Sequence, residues 1–245
     1  MIKKKILSIL FAPALLSLNM ANAQDTTRVT TYETTTHDHS DKTKYPLHPM
    51  EIGFHYLPMF TSLKYKTYNG EEVQAAATLG NGYGGIIAFN FSQNVGLQAE
   101  VNYNPISQKF KDRGLERTVA INYLDIPVLL SLNTNKTCPV NFNVVLGPQF
   151  GINTGSSINS SGSNSETDTM NATIAVKQGD VGAAYGAGFE FAFPPNGNFI
   201  IDLGFRGMYG LVDMSAKPVG SNTYNVLVKG ARKAYGGYIG IKLAF

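Results

Sequence analysis

The feature that most constrains this chain is its last stretch, Ala231 to Phe245, which ends Tyr235-Gly236-Gly237-Tyr238-Ile239-Gly240-Ile241-Lys242-Leu243-Ala244-Phe245. Counting back from Phe245, every second residue is apolar or aromatic (Leu243, Ile241, Ile239) until Gly237, and Tyr235 resumes the series; Ala244, Lys242, Gly240 and Gly236 take the other phase. A period of two places alternate side chains on opposite faces of a strand. One face here is suited to hydrocarbon and the other tolerates charge.

Composition agrees with a membrane setting. Only 15% of the residues are charged, against about 25% in soluble domains, while Gly, Tyr and Phe number 25, 13 and 14. Beyond the N-terminus no apolar run reaches the about 18 residues that a spanning helix needs. A closed β-barrel is the remaining way to cross, because backbone polar groups in hydrocarbon must be paired internally.

Met1 to Ala23 has a basic start (Lys3, Lys4, Lys5), an apolar run from Ile6 to Leu18 and the small-x-small end Ala21-Asn22-Ala23. It reads as a secretory signal peptide, with the mature chain beginning at Gln24. The formal charge of +3 falls to about 0 without those three lysines, so the apparent basicity gives no reason to expect a nucleic-acid partner. Gln24 to Pro49 is Thr-rich and without period, and reads as a disordered periplasmic tail. Its His37-Asp38-His39 offers two imidazoles without a third spaced ligand, which is too little for a metal site, and no cofactor is expected. The single Cys138 excludes an internal disulfide and is expected as a free thiol.

From residue 50 to 245 the chain alternates, and eight strands are expected: Glu51 to Thr61, Asn81 to Phe91, Val95 to Ser107, Arg117 to Leu132, Val140 to Ile152, Gly179 to Phe193, Asn198 to Leu211 and Ala231 to Phe245. Each reaches the about 9 to 11 residues of a tilted membrane strand. Short turns (Ser92 to Asn94, Asn133 to Pro139, Pro194 to Gly197) alternate with longer connections (Ser62 to Gly80, Gln108 to Glu116, Asn153 to Gln178, Val212 to Gly230). The fold class is therefore all-β, an eight-stranded antiparallel up-and-down transmembrane barrel of the outer-membrane type, with both termini periplasmic.

Register is set by charge. In the seventh strand Phe199, Ile201, Leu203, Phe205, Tyr209 and Leu211 oppose Asp202, Gly204, Arg206, Met208 and Gly210, and a one-residue slip would put Arg206 in lipid at about 2 to 4 kcal/mol. In the fourth strand the phase that turns Asp125 inward is chosen. Pro127 and Pro148 on neighbouring strands cannot donate ladder bonds, so a bulge or local defect is expected there.

Tyr123-Leu124-Asp125-Ile126-Pro127-Val128-Leu129-Leu130, with Gly96 to Glu100 and Gly147-Pro148-Gln149, resembles the signature of porin-like outer-membrane β-barrel proteins of the PorT type. The resemblance spans roughly Ile52 to Phe245. A strand ending on Phe245 likewise resembles the closing strand that the barrel assembly machinery reads in Gram-negative cells. The resemblance implies an outer-membrane location and an accessory role in secretion or surface attachment, since fold alone does not fix function.

The inward phase collects Glu51, His55, Glu100, Asp125, Glu190, Asp202, Arg206, Arg232 and Lys242. An eight-stranded barrel is only wide enough for side chains to fill, so these charges are expected to pair; a conducting path or ligand pocket is the alternative. Only His55 lies in a strand and no nucleophile motif accompanies it, so no enzyme is expected. Basic residues in or beside outer loops, notably Lys109, Lys111, Arg113 and Arg117, are candidates for lipopolysaccharide phosphates. The expected protein is a monomeric non-catalytic barrel in outer-membrane lipid, its loops serving structural or binding roles; a narrow channel for small solutes or ions is the alternative.

Overall fold

The computed structural model describes residues 44–66, 72–74, 78–112, 115–161, 172–214 and 224–245. The expected signal peptide and most of the expected tail lie outside them. The elements are β1 (Met50–Lys66), β2 (Glu72–Gln74), β3 (Thr78–Asn90), β4 (Val95–Asp112), β5 (Leu115–Asn133), β6 (Val140–Ser161), β7 (Ala172–Ala175), β8 (Gly179–Phe193), β9 (Phe199–Gly210) and β10 (Tyr224–Ala244). Eight long strands pair in the order β1-β3-β4-β5-β6-β8-β9-β10, and β10 returns to β1 from Glu51–Ala244 through Lys66–Leu227. The closed antiparallel barrel is the expected one. Two short strands lie outside the count of eight: β2 pairs with β1, and β7 runs parallel to β10.

The sheet closes because alternation is kept around the whole ring. Phe54, Val101, Leu146, Phe189, Leu203 and Ile239 face outward and are exposed, whereas Glu51, Glu100, Asp125, Glu190, Asp202 and Lys242 face inward and are buried. Asp125 and Arg206 lie inside, as the chosen phases require. Aromatic pairs girdle the outer surface at both ends of the apolar band, with ring centroids 5.8 Å apart at Phe193–Phe199 and 5.9 Å at Phe60–Tyr235.

Several expectations need correction. The strands extend past the expected limits on the long-loop side: β4 and β5 pair as far as Asp112–Leu115, and β6 pairs with β5 out to Glu116–Ser161. The stretch from Gln108 to Glu116 is therefore largely hairpin rather than loop. Ladder hydrogen bonds need no apolar face once the wall stands clear of hydrocarbon, so strand continues where alternation fades. The bulge is also elsewhere. Register runs unshifted past Pro127–Gln149 and Pro148–Ala183 and shifts between Asn122 and Tyr123 instead, although the β4–β5 and β5–β6 pairing lapses for two residues beside Pro127 and Pro148, the local defect expected there. A second shift lies between Ser62 and Lys64 on β1.

Backbone crowding at these prolines is relieved by glycine. A Cβ on Gly147 would strike the Val128 carbonyl, and one on Gly236 would strike the Pro58 carbonyl. The N-terminal approach is not wholly a free tail either. Tyr45 is buried, its N–H donates to the Thr137 carbonyl at 2.7 Å, and its ring lies against Gly197. Lys44 to Pro49 thus crosses the end of the barrel where the short turns lie, although its sequence carries no period to announce it.

Gly236→Val is expected to abolish barrel closure, read as loss of the heat-modifiable gel mobility of the refolded protein. Gly85→Val, whose added Cβ would meet only the Gly53 carbonyl at 3.9 Å on the outer face, is expected to refold normally in the same assay.

Candidate functional site

The interior is filled by three tiers of polar side chains and an apolar cap. The lowest tier gathers around Lys242 on β10. Its Nζ donates to Glu190 Oε1 at 2.5 Å and lies 2.7 Å from Asp202 Oδ2 and 3.7 Å from Glu51 Oε2. A second ammonium, Lys136 from the β5–β6 turn, reaches Glu51 Oε1 and Glu190 Oε2, both at 2.8 Å. Asn90 donates to Glu51, Asn141 to Glu190 and the Tyr238 hydroxyl to Asp202, at 2.8, 2.7 and 2.9 Å. Strands β1, β3, β6, β8, β9 and β10 therefore all contribute to one network that crosses this end of the lumen.

In the middle tier Arg206 on β9 pairs with Glu100 on β4 at 2.6 Å, and Gln98 and Asn102 both donate to the same carboxylate, at 2.6 and 2.8 Å. His55 bonds through Nε2 to Asn102 Oδ1 at 2.7 Å and stands 3.9 Å from Glu100. The imidazole faces an amide and a carboxylate that is already paired.

The upper tier is built on Arg232 of β10. Its two terminal nitrogens grip both oxygens of Asp125 on β5, Nε donates to Asp180 Oδ2 at 3.1 Å, and the guanidinium lies 4.2 Å from the centre of the Tyr123 ring. A two-pronged grip with stacking is chemistry that lysine cannot reproduce. Asn104 completes the Asp125 shell at 2.6 Å. Above this tier Leu63, Ile106, Val119, Ile121, Tyr123, Met214 and Val228 form a buried apolar cluster. Met214 enters from the segment after β9 and is held by backbone bonds from its N–H to Gly230 and from Lys177 to its carbonyl, at 3.0 and 2.9 Å.

All nine inward residues expected from sequence lie in the lumen, and eight of them form the three tiers with His55 joining through Asn102. Lys136 and Asp180 were missed. Asp180 shares the phase of Gly182 to Glu190 and was legible one alternation further out; Lys136, on a turn, had no periodic signal. Arg117 needs correction as a lipopolysaccharide candidate: it is fully buried, because it shares the inward phase of Val119, Ile121, Tyr123 and Asp125. Lys109 is exposed and pairs with Glu116 at 3.1 Å. The side chain of Lys111 and the residue Arg113 lie outside the described residues. So do His37 and His39, and among the described residues no group of three His, Cys, Asp or Glu could hold a metal. Cys138 is a free, half-buried thiol in the β5–β6 turn.

Between the middle and upper tiers lies a cavity with about 20 Å3 of space that a water centre can reach, bordered by Leu57, Met59, Asn104, Arg206 and Arg232. That is about the room one water needs.

A family model described as "Outer membrane protein beta-barrel domain" matches residues 22–216. No curated protein matches by sequence. Among solved structures, the outer membrane protein OprG from Pseudomonas aeruginosa is 17% identical with a TM-score of 0.58, covering 84% of this chain and 100% of that one. Neisserial surface protein A is 15% identical with a TM-score of 0.43, covering 80% and 97%. Ail, the attachment invasion locus protein of Yersinia pestis, is 16% identical with a TM-score of 0.40, covering 81% and 100%. OprG shares the fold; at these identities the likeness extends no further.

Breaking the lowest tier should be costly, because removing one partner leaves buried charge uncompensated. Lys242→Met is expected to destabilise the barrel by about 3 to 5 kcal/mol, and adding Glu190→Gln is expected to recover part of that loss. Since the chain contains no Trp, urea unfolding in lipid vesicles would be followed by far-ultraviolet circular dichroism.

Proposed function

Because this chain belongs to the outer membrane protein β-barrel domain family, we propose that it is a non-catalytic outer-membrane barrel whose ion-paired lumen blocks the straight path across the membrane and whose outer end does the binding work. The observation that carries this reading is the tier around Lys242, where Lys136 and residues from six strands bond across the lumen. Opening a pore there would require separating buried ion pairs at a cost of several kcal/mol each. The long side of the wall, formed by β4, β5, β6, β1 and β10, supplies the outer platform.

In this reading both termini are periplasmic, with Tyr45 and the short turns at that face, and Phe245 is the signature read by the assembly machinery. Outward-facing lysines contact lipopolysaccharide phosphates at the opposite rim. Lys233, 4.8 Å from the centre of the Tyr209 ring, supports this, since an aromatic belt with a cation beside it marks the level of the headgroups. The PorT-type resemblance rests on Tyr123 to Leu130. In that stretch Tyr123 and Asp125 hold Arg232, so the motif serves the barrel wall, and an accessory role in secretion or attachment is a second reading carried by the resemblance alone.

Two experiments test this. The refolded barrel in a planar bilayer is expected to show no steady single-channel steps, whereas conductance that changes in an Arg206→Ala variant would establish the narrow-channel alternative. Joint replacement of Lys109 and Lys233 by Gln is expected to lower retention of lipopolysaccharide on the purified protein at least severalfold; unchanged retention would remove that contact from the account.

A further inference from the structure

Arg206 is buried in the middle tier with its hydrogen bonding unfinished. Its Nη2 donates to Glu100 Oε1 at 2.6 Å, whereas Nε and Nη1 have no hydrogen-bond partner among the described residues. The side chain is only 5% exposed. Arg206 belongs to the spanning part of β9, next to the outward Phe205, so the surrounding hydrocarbon offers those N–H groups nothing. A buried donor left unpaired carries its full desolvation cost, and more so on a cation. Arg232 shows the contrast one tier higher, where Nε, Nη1 and Nη2 are all taken up by Asp180 and Asp125.

The cavity between these two tiers is where the missing partner fits. Arg206 and Arg232 border it together with Glu100 and Asp125, so both signs of charge face it. A small anion there would meet two carboxylates, and a metal cation would meet two guanidinium groups. A neutral molecule that both accepts and donates escapes either penalty. Acceptors for its hydrogens are at hand. Asn104 Oδ1 is likewise buried without a partner among the described residues, and Gln149 brings an amide to the same border. Leu57, Met59, Met208 and Ala234 close the remaining side without offering a side-chain hydrogen bond. The room suits one water, and cavities that stay dry are apolar, which this one is not.

We propose that a single water is bound between Arg206 and the upper tier as a lasting part of the interior, accepting from Arg206 and donating to Asn104 and Gln149. This goes beyond the binding work assigned to the outer end and does not rest on it. The guanidinium of Arg206 already lies 5.4 Å from the centre of the Tyr238 ring, whose hydroxyl donates to Asp202, and Asn104 already donates to Asp125. The water therefore joins all three tiers into one connected column running from Lys242 to Arg232.

The test uses the full chain, refolded into lipid nanodiscs with isotope-labelled arginine and studied by nuclear magnetic resonance. The side-chain N–H signals of Arg206, assigned by their loss in Arg206→Lys, are expected to show magnetisation transfer from a water that stays for nanoseconds or longer. The Nε–H signal of Arg232, which Asp180 holds, is expected to show none.

Stability supplies an independent readout. Ala234 is buried at the border of the cavity, and Ala234→Val fills the space. In the otherwise unchanged chain this replacement is expected to lower the urea midpoint, because expelling the water strands Nε and Nη1 of Arg206. In a chain carrying Arg206→Met with Glu100→Gln, where those donors are gone, the same replacement is expected to leave the midpoint unchanged or raise it. Absence of transfer at Arg206, equal transfer at Arg232 Nε–H, or an equal fall of the midpoint in both backgrounds would each overturn the proposal. Should the double variant fail to refold, the transfer experiment on the native chain decides alone.

Discussion

A backbone amide in hydrocarbon must find a partner within the protein, and most of this architecture follows from that requirement. It excludes an open sheet, so β10 must return to β1. It also explains why prolines in the wall come with glycines: where Pro58 interrupts donation, Gly236 lets the facing strand move in, and Gly147 does the same beside Val128 and Pro127. The register survives because the strands can approach more closely than side chains would permit.

The interior answers a second requirement, the compensation of charge. Each tier crosses the lumen between strands distant in sequence, as with Arg206 on β9 and Glu100 on β4 or Arg232 on β10 and Asp125 on β5. Lipid therefore fixes which phase points outward, and the paired charges fix which strands face one another. A slip of one residue would lose both at once, since Arg206 would enter hydrocarbon and Glu100 would be left alone.

Barrel, strand number and inward set were legible because the apolar band writes a period of two into every spanning segment. Phe199 to Tyr209 and Val181 to Phe193 are read almost by inspection. Legibility ended where lipid ended. The extensions of β4, β5 and β6 have no apolar face to conserve a period, so residues such as Ser156 and Ser157 looked like loop although they pair with Ile121 and Ala120. Lys136 was invisible for a different reason, because a turn residue is free to point anywhere and only the assembled floor shows where it goes.

The floor also bears on the order of assembly. Glu51 comes from the first strand, Lys136 from the middle turn, Glu190 and Asp202 from the third and second strands from the end, and Lys242 from the last. Until the final strand arrives, Lys136 serves Glu51 and Glu190 alone, and Lys242 and Tyr238, which hold Asp202, are still missing. Delivery of Lys242 then brings an ammonium to all three carboxylates at once, so the network acts as a latch that closes only with the last strand. A barrel stopped one strand short would hold a larger excess of negative charge at this end than the finished floor does, and burying it would cost more.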